Sequence, residues 1–201
     1  MEPLAIDDDF VARMAKLPKV CDHYHLSLQS GCNRTLKRMN RKYNAEQYAE
    51  ACERLRNAFP NVAITTDIIV GFPDETEEDF KESLAFAKKM KLDKIHTFPY
   101  SPKKGTPAAK MKNQISGDVK SQRSKEMIAL SDKMNIDFLN NNIGKTVPVL
   151  FEDMENGFWQ GHTTNYIKVL VKSDENLNNK IVDVKLDKIH GVEIVEGTVV
   201  K

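Results

Sequence analysis

The chain has 201 residues, with 30 lysines and arginines against 29 aspartates and glutamates, so its formal net charge is +1 and no bulk field recruits polyanions. Any nucleic-acid binding therefore has to come from local patches. Hydrophobic residues make up 40% and charged residues 29%, which excludes disorder, and no apolar run reaches the roughly 18 residues of a membrane span.

The first residues, MEPLAIDDDF, lack the basic start and apolar stretch of a secretion signal. Cys21, Cys32 and Cys52 are odd in number and match no zinc or cluster spacing, which favours a reducing, cytoplasmic setting and ordinary small side chains at all three positions. A leading helix is expected at about Asp8 to Leu17. Three strand-like segments then recur, each followed by helical periodicity: Val20 to Leu28, Val62 to Val70 and Lys94 to Tyr100. The second is almost continuously apolar and β-branched, as suits a central parallel strand buried on both faces. Asn44 with Gln47, and Thr76 with Asp79, are capping boxes that open the next two helices, and Pro60 closes the first of them. Phe80, Leu84, Ala87 and Met90 give the second an apolar face. A long helix from about Val119 to Asn141 carries Met127, Leu130, Met134 and Phe138 on its buried stripe and ends at Gly144.

Beyond Gly144 the period turns from helical to alternating. TVPVLFE, GFWQGHT, YIKVLVK, KIVDVKL and GVEIVEGTVV read as five short strands of a small closed or partly closed barrel of the OB type. The expected division is thus a βα domain over residues 1–143 and a barrel over 144–201.

In a parallel βα fold, ligands gather at the carboxyl ends of strands. Gln29, Ser30 and Gly31 lie at such an end, followed by the basic run NRTLKRMNRK, whose guanidinium groups could meet an anion or simply form a solvated helix face. Asp67, inside the apolar second strand, either has a structural hydrogen-bond partner or receives a ligand hydroxyl. The acidic stretch Asp74 to Glu82 reads as charge favoured by a helix N-terminus. Tyr100, at the end of the third strand, is either core or faces a ligand. The five histidines are scattered, and no nucleophile and base can be paired from the sequence.

HLSLQSGCNRTLKRMNRKY, TTDIIVGFPDETEEDF, YSPKKGTPAAKM and GHTTNYIKVLV, in that order, resemble the MiaB-like tRNA methylthiotransferases, radical S-adenosylmethionine enzymes. Cys32, where the family often has serine, suggests the branch that modifies threonylcarbamoyladenosine; Asp74 stands where glycine is common, and aspartate tolerates a left-handed turn. The resemblance implies an α/β fold: the C-terminal half of a partial (βα)6 radical-SAM barrel, followed by a small all-β OB-like TRAM barrel. It implies S-adenosylmethionine as cofactor, with Gln29 and Ser30 beside it, Arg41 reaching its polar groups, Asp67 contributing a polar contact and Tyr100 passing the adenine. Arg34, by contrast, reads as helix surface. The implied reaction replaces the adenine C2 hydrogen, next to the anticodon, by a methylthio group. For tRNA the implied exposed contacts are Trp159, His162, Asn165 and Tyr166, although Trp159 or Tyr166 could equally be core.

Full-length members also hold 4Fe-4S clusters, on a three-cysteine domain and a CxxxCxxC motif. Neither lies within these residues, so the resemblance implies a truncated piece that ligates no cluster and is inactive alone. A stand-alone RNA-binding module is the competing reading. A half-barrel would also leave the Val20 to Leu28 edge open to self-association, unless Met1 to Leu17 folds over it.

Overall fold

The structure, a computed structural model, describes residues 1–200. Its contacts separate two compact units: residues 1–20 with 24–131, and residues 21–23 with those from Asp132 onward. Among the described residues no helix is long and apolar enough to cross a membrane.

The first unit is α/β. Its elements are α1 (Asp8–Met14), β1 (His23–His25), α2 (Asn33–Arg38), α3 (Ala45–Ala58), β2 (Ala63–Val70), α4 (Glu77–Met90), β3 (Lys94–Pro99) and the start of α5 (Gly117–Asn140). The sheet order is β1-β2-β3, with β2 central and parallel to β3. Both expected capping boxes form: Asn44 and Gln47 bond each other's backbone at the start of α3, as do Thr76 and Asp79 at α4. Ile64, Ile68, Tyr48, Leu55, Phe80 and Met127 are fully buried in this unit's core.

Two expectations need correction, and a third resolves to its stated alternative. The first strand is shorter than Val20 to Leu28, because the Thr66 hydroxyl enters the ladder: it donates to the Leu26 carbonyl and accepts from the Leu28 N–H, at 2.5 and 2.9 Å. Leu26 and Leu28 are nevertheless completely buried. Second, β2 is central but buried on both faces only over its first half. Ala63 to Thr66, Ile68 and Val70 are buried, while Asp67 and Ile69 are half-buried beside the exposed His96 and Phe98 of β3. The outer backbone of β1 takes the expected alternative, with the leading segment folded over it. The Met1 amine donates to the His25 carbonyl and the Met1 carbonyl accepts from Ser27 N–H. Ile6 and Val11 are buried in the leading segment, which packs on α3. That segment covers the edge expected to invite self-association.

The second unit is a closed barrel of β4 (Thr146–Glu155), β5 (Phe158–Thr163), β6 (Lys168–Val171), β7 (Ile181–His190) and β8 (Ile194–Val199), in the order β4-β5-β6-β8-β7. All pairs are antiparallel except β6 with β8. Asn156 and Gly157, both at positive φ, make the two-residue turn between β4 and β5. Val149, Phe151, Val169, Val184, Leu186 and Val195 alternate inward and fill the barrel. At Gly161 a Cβ would collide with the Leu150 carbonyl oxygen, so the close β4-β5 approach requires glycine there. Periodicity changes at Gly144, but the contact boundary falls after Ser131, inside α5. The reason is that Leu139 is buried in the barrel's apolar cluster, with Phe138 packed against it.

Candidate functional site

At the carboxyl ends of β2 and β3 lies a cavity of about 420 Å³, lined by Gln29, Asp67, Ile69, Phe98, Tyr100 and the loop that follows. Its walls are held by backbone bonds. Gln29, at φ 65°, donates its N–H to the Asp67 carbonyl and accepts from Ile69 N–H, which locks it against β2 in a left-handed turn. Tyr100 N–H donates to the Val70 carbonyl, and its own carbonyl accepts from Lys120 Nζ of α5. Its ring packs edge-on against Phe72, 5.2 Å between centroids, and its hydroxyl is buried without a partner. The Asp67 carboxylate sits half-buried with Oδ2 3.2 Å from His25 Nε2.

Below the cavity, α5 and the loop after β2 are joined by buried charge. Glu75 accepts from the Gly71 N–H at 2.6 Å and from Arg123 Nη1 at 2.8 Å, and the Arg123 guanidinium lies 5.4 Å over the Phe80 ring. Burial pushes the Glu75 carboxyl up, against the pull of the Gly71 amide and Arg123. Gly71, at φ 70°, admits the Lys120 side chain where a Cβ would stand.

The basic run and the acidic stretch meet one another, which corrects two expectations. Arg34 is no idle helix surface: it bridges Asp74 and Asp79, and Arg38 reaches Asp74 at 3.1 Å. Asp74, at φ 67°, also accepts from Asn113, and that bond with the two arginines holds its carboxyl below the ordinary range. Burial pushes Asp79 up, but Thr76, Cys32 and Arg34 outweigh it and the net direction is down. These guanidinium groups are therefore engaged by the protein's own carboxylates.

Of the residues expected around a cofactor, the structure brings Gln29, Asp67 and Tyr100 to one cavity and leaves Ser30 and Arg41 outside its lining. Ser30 is buried and its Oγ accepts from Cys32 N–H, just ahead of α2. Arg41 Nη1 lies 3.3 Å from Glu2, and its Nε is buried without a partner. His25 is the neighbour that sequence reading missed. The alternation His23-Tyr24-His25 puts both histidines on one face of a strand, but the pairing with Asp67 depends on register between strands.

In the barrel unit, Trp159 is buried in the apolar core and Asn165 is buried beside Thr163, so neither is an exposed contact. Tyr166 is 61% exposed, yet its ring is not without neighbours. The rings of His162 and of His23 stack on it at 4.7 and 4.6 Å. This stack borders a second cavity of about 510 Å³ with Pro148, Leu150 and Ile181. Glu152 holds His162 Nδ1 at 2.7 Å.

An adenosine-bearing cofactor fits the first cavity: it offers acceptors at Gln29 and Asp67, an apolar wall at Ile69 and Phe98, and an unpartnered buried hydroxyl at Tyr100. The thiols do not fit an iron–sulfur cluster. Cys21 is exposed, Cys32 and Cys52 are buried, and burial pushes both of the latter up, Cys52 to about 12, away from the thiolate a metal needs. No group of three His, Cys, Asp or Glu side chains among the described residues is placed to hold a metal ion.

Comparison with known proteins adds three findings. Residues 2–87 match the family model described as the radical SAM superfamily. The threonylcarbamoyladenosine tRNA methylthiotransferase MtaB of Bacillus subtilis is 38% identical, over 100% of this chain and 46% of its own. A tRNA-2-methylthio-N(6)-dimethylallyladenosine synthase of Thermoanaerobacter is 42% identical over 92% of this chain and 40% of its own. The chain thus spans under half the length of the curated relatives it matches. Among solved structures, coproporphyrinogen III oxidase (HemN) from Escherichia coli, a radical SAM enzyme, covers 82% of this chain, and this chain covers 45% of it, with TM-score 0.57 and 15% identity, a likeness of fold alone.

Proposed function

We propose, from the premise that this chain falls among the MiaB-like tRNA methylthiotransferases, that it supplies the adenosine-binding wall and the RNA-holding barrel of such an enzyme. The observation that carries this reading is the convergence of Gln29, Asp67 and Tyr100 on one cavity at the strand ends. There Asp67 and Gln29 would accept from ribose hydroxyls, and Tyr100 would lie along the adenine with its hydroxyl available to it. Ser30 would brace the turn behind Gln29. Arg41 would offer its unpartnered Nε to the polar end of S-adenosylmethionine. When bound, that cofactor supplies the radical chemistry for replacing a C–H hydrogen; what these residues do is bind it, orient it and exclude water. Cluster ligation falls to residues beyond this chain, and the chain alone is expected to be inactive.

The barrel's strand order, with its third and fifth strands parallel, supports reading it as an OB-like TRAM domain over residues 144–201, following a radical SAM portion over residues 1–143. With Trp159 and Asn165 inside, the RNA contacts narrow to His162 and Tyr166. With two rings already stacked on it, Tyr166 would offer chiefly its edge and hydroxyl. The substrate we infer is N6-threonylcarbamoyladenosine next to the anticodon, methylthiolated at C2, in line with the match to MtaB over the whole chain. Mass spectrometry of tRNA nucleosides from cells with and without a functional gene tests this. Loss of the methylthio group from threonylcarbamoyladenosine alone is expected; an unchanged nucleoside profile overturns the reading.

A further inference from the structure

The half-covered sheet face beside the cavity carries a row that crosses all three strands: His25 on β1, Asp67 on β2 and His96 on β3. Asp67 and His96 are register partners, and the His25 and His96 rings stand 5.8 Å apart. Within this row His25 has both ring nitrogens engaged. Nε2 lies 3.2 Å from Asp67 Oδ2 and Nδ1 lies 3.0 Å from the Thr65 hydroxyl. A carboxylate only accepts, so the ring can meet Asp67 as a donor only in the form with the proton on Nε2, and in that neutral form Nδ1 is left to accept from Thr65 Oγ1. The carboxylate thereby favours that tautomer, and the threonine hydroxyl, which can donate as well as accept, supports it. Thr65 is itself buried in β2, so it is a rigid reference for the ring.

The consequence falls on the carboxylate. One of its oxygens faces His25, which restrains rotation about the last side-chain bond, while the other is met by no protein donor found among the described residues. Asp67 also lines the cavity, on the strand to which Gln29 is locked. We propose that His25 is a positioning residue, with Thr65 behind it, that turns the free oxygen of Asp67 toward the cavity to accept from a ribonucleoside hydroxyl. The inference rests on the adenosine reading of the cavity and adds to it a residue that touches no ligand. An outer partner of this kind sets the orientation and basicity of an inner group, much as the second partners of metal-bound histidines do.

Binding of adenosine, 2′-deoxyadenosine and 3′-deoxyadenosine to the full chain, followed by ligand-observed NMR, tests it. For the unaltered chain, loss of the hydroxyl that Asp67 receives should weaken binding about tenfold or more, as for a charge-assisted bond. His25→Phe keeps the ring but loses the donor, and should shrink that preference to below about threefold. His25→Gln, whose amide can donate from a similar place, should restore it. A merely structural histidine would instead weaken all three nucleosides alike and leave their ratio unchanged, which overturns the proposal. Nitrogen-15 spectra of the unaltered chain need no variant to fold: His25 protonated on Nε2 and bare on Nδ1 is expected, and the opposite tautomer overturns it as well. If adenosine binds and Asp67→Asn abolishes it while His25 proves indifferent, the cavity reading stands and this inference falls. If no nucleoside binds the unaltered chain, the cavity reading falls and takes this inference with it.

Discussion

The two units are held by different physics. The barrel closes on itself, so every strand is paired on both sides, and its core is almost wholly apolar. The first unit has three strands and buries Gln29, Thr65, Thr66, Glu75, Asp79, Ser83, Arg123 and Ser131 among its aliphatics. These polar groups are ties between elements: Ser83 Oγ accepts from Gly31 N–H, Ser131 Oγ from Ile95 N–H, and Glu75 joins Gly71 to Arg123. Apolar packing fills a volume without choosing among nearby arrangements, whereas a buried hydrogen bond has a direction. Thus the unit that holds strand ends around the first cavity does so through polar ties, and the closed barrel relies on apolar packing.

The sharpest way to break this contrast is to remove the buried guanidinium. Arg123→Met should destabilise the first unit by about 3–5 kcal/mol, because it strands the Glu75 carboxylate, whose side chain is only 2% exposed. Hydrogen exchange should show β2 and Gly71 losing protection while β4 to β8 keep theirs. Adding Glu75→Leu should recover much of the loss, since no unpaired charge would remain. A change below about 1 kcal/mol in the single variant would mean that this tie is ornamental.

The barrel should be sensitive to volume instead. Gly161→Ala puts a Cβ against the Leu150 carbonyl oxygen and within 2.9 Å of Phe151 Cα, and should cost about 1–3 kcal/mol. Gly157→Ala, in open space at φ 81°, should cost about 1 kcal/mol through its backbone angle alone. Urea titrations monitored by Trp159 fluorescence would rank the two. Equal losses would show that packing across β4 and β5 is looser than described.

Sequence made the local part of this picture legible. Capping boxes and the alternation after Gly144 are short-range signals, and each forms where it is expected. What it hid depends on contacts between distant residues. Thr66 interrupts the first strand from 38 positions away from Leu28, a contact invisible to periodicity. The arginines of the NRTLKRMNRK run looked available for an anion until the fold set Asp74 and Asp79 against them. Tyr166 was expected as an exposed contact, and its exposure agrees, but the rings of His23 and His162 already stack on it. At the cavity, Gln29, Asp67 and Tyr100 were readable through a resemblance to a family, whereas His25 needed the register of two strands.

The central claim, that the strand ends of the first unit form a nucleoside-binding wall, is tested most directly by amide chemical-shift mapping with S-adenosylhomocysteine, which requires no cluster. The account predicts shifts concentrated at Gln29, Asp67, Ile69 and Tyr100, absent in Asp67→Asn, with the barrel silent. Shifts confined to the barrel, or none at saturating ligand, would contradict it.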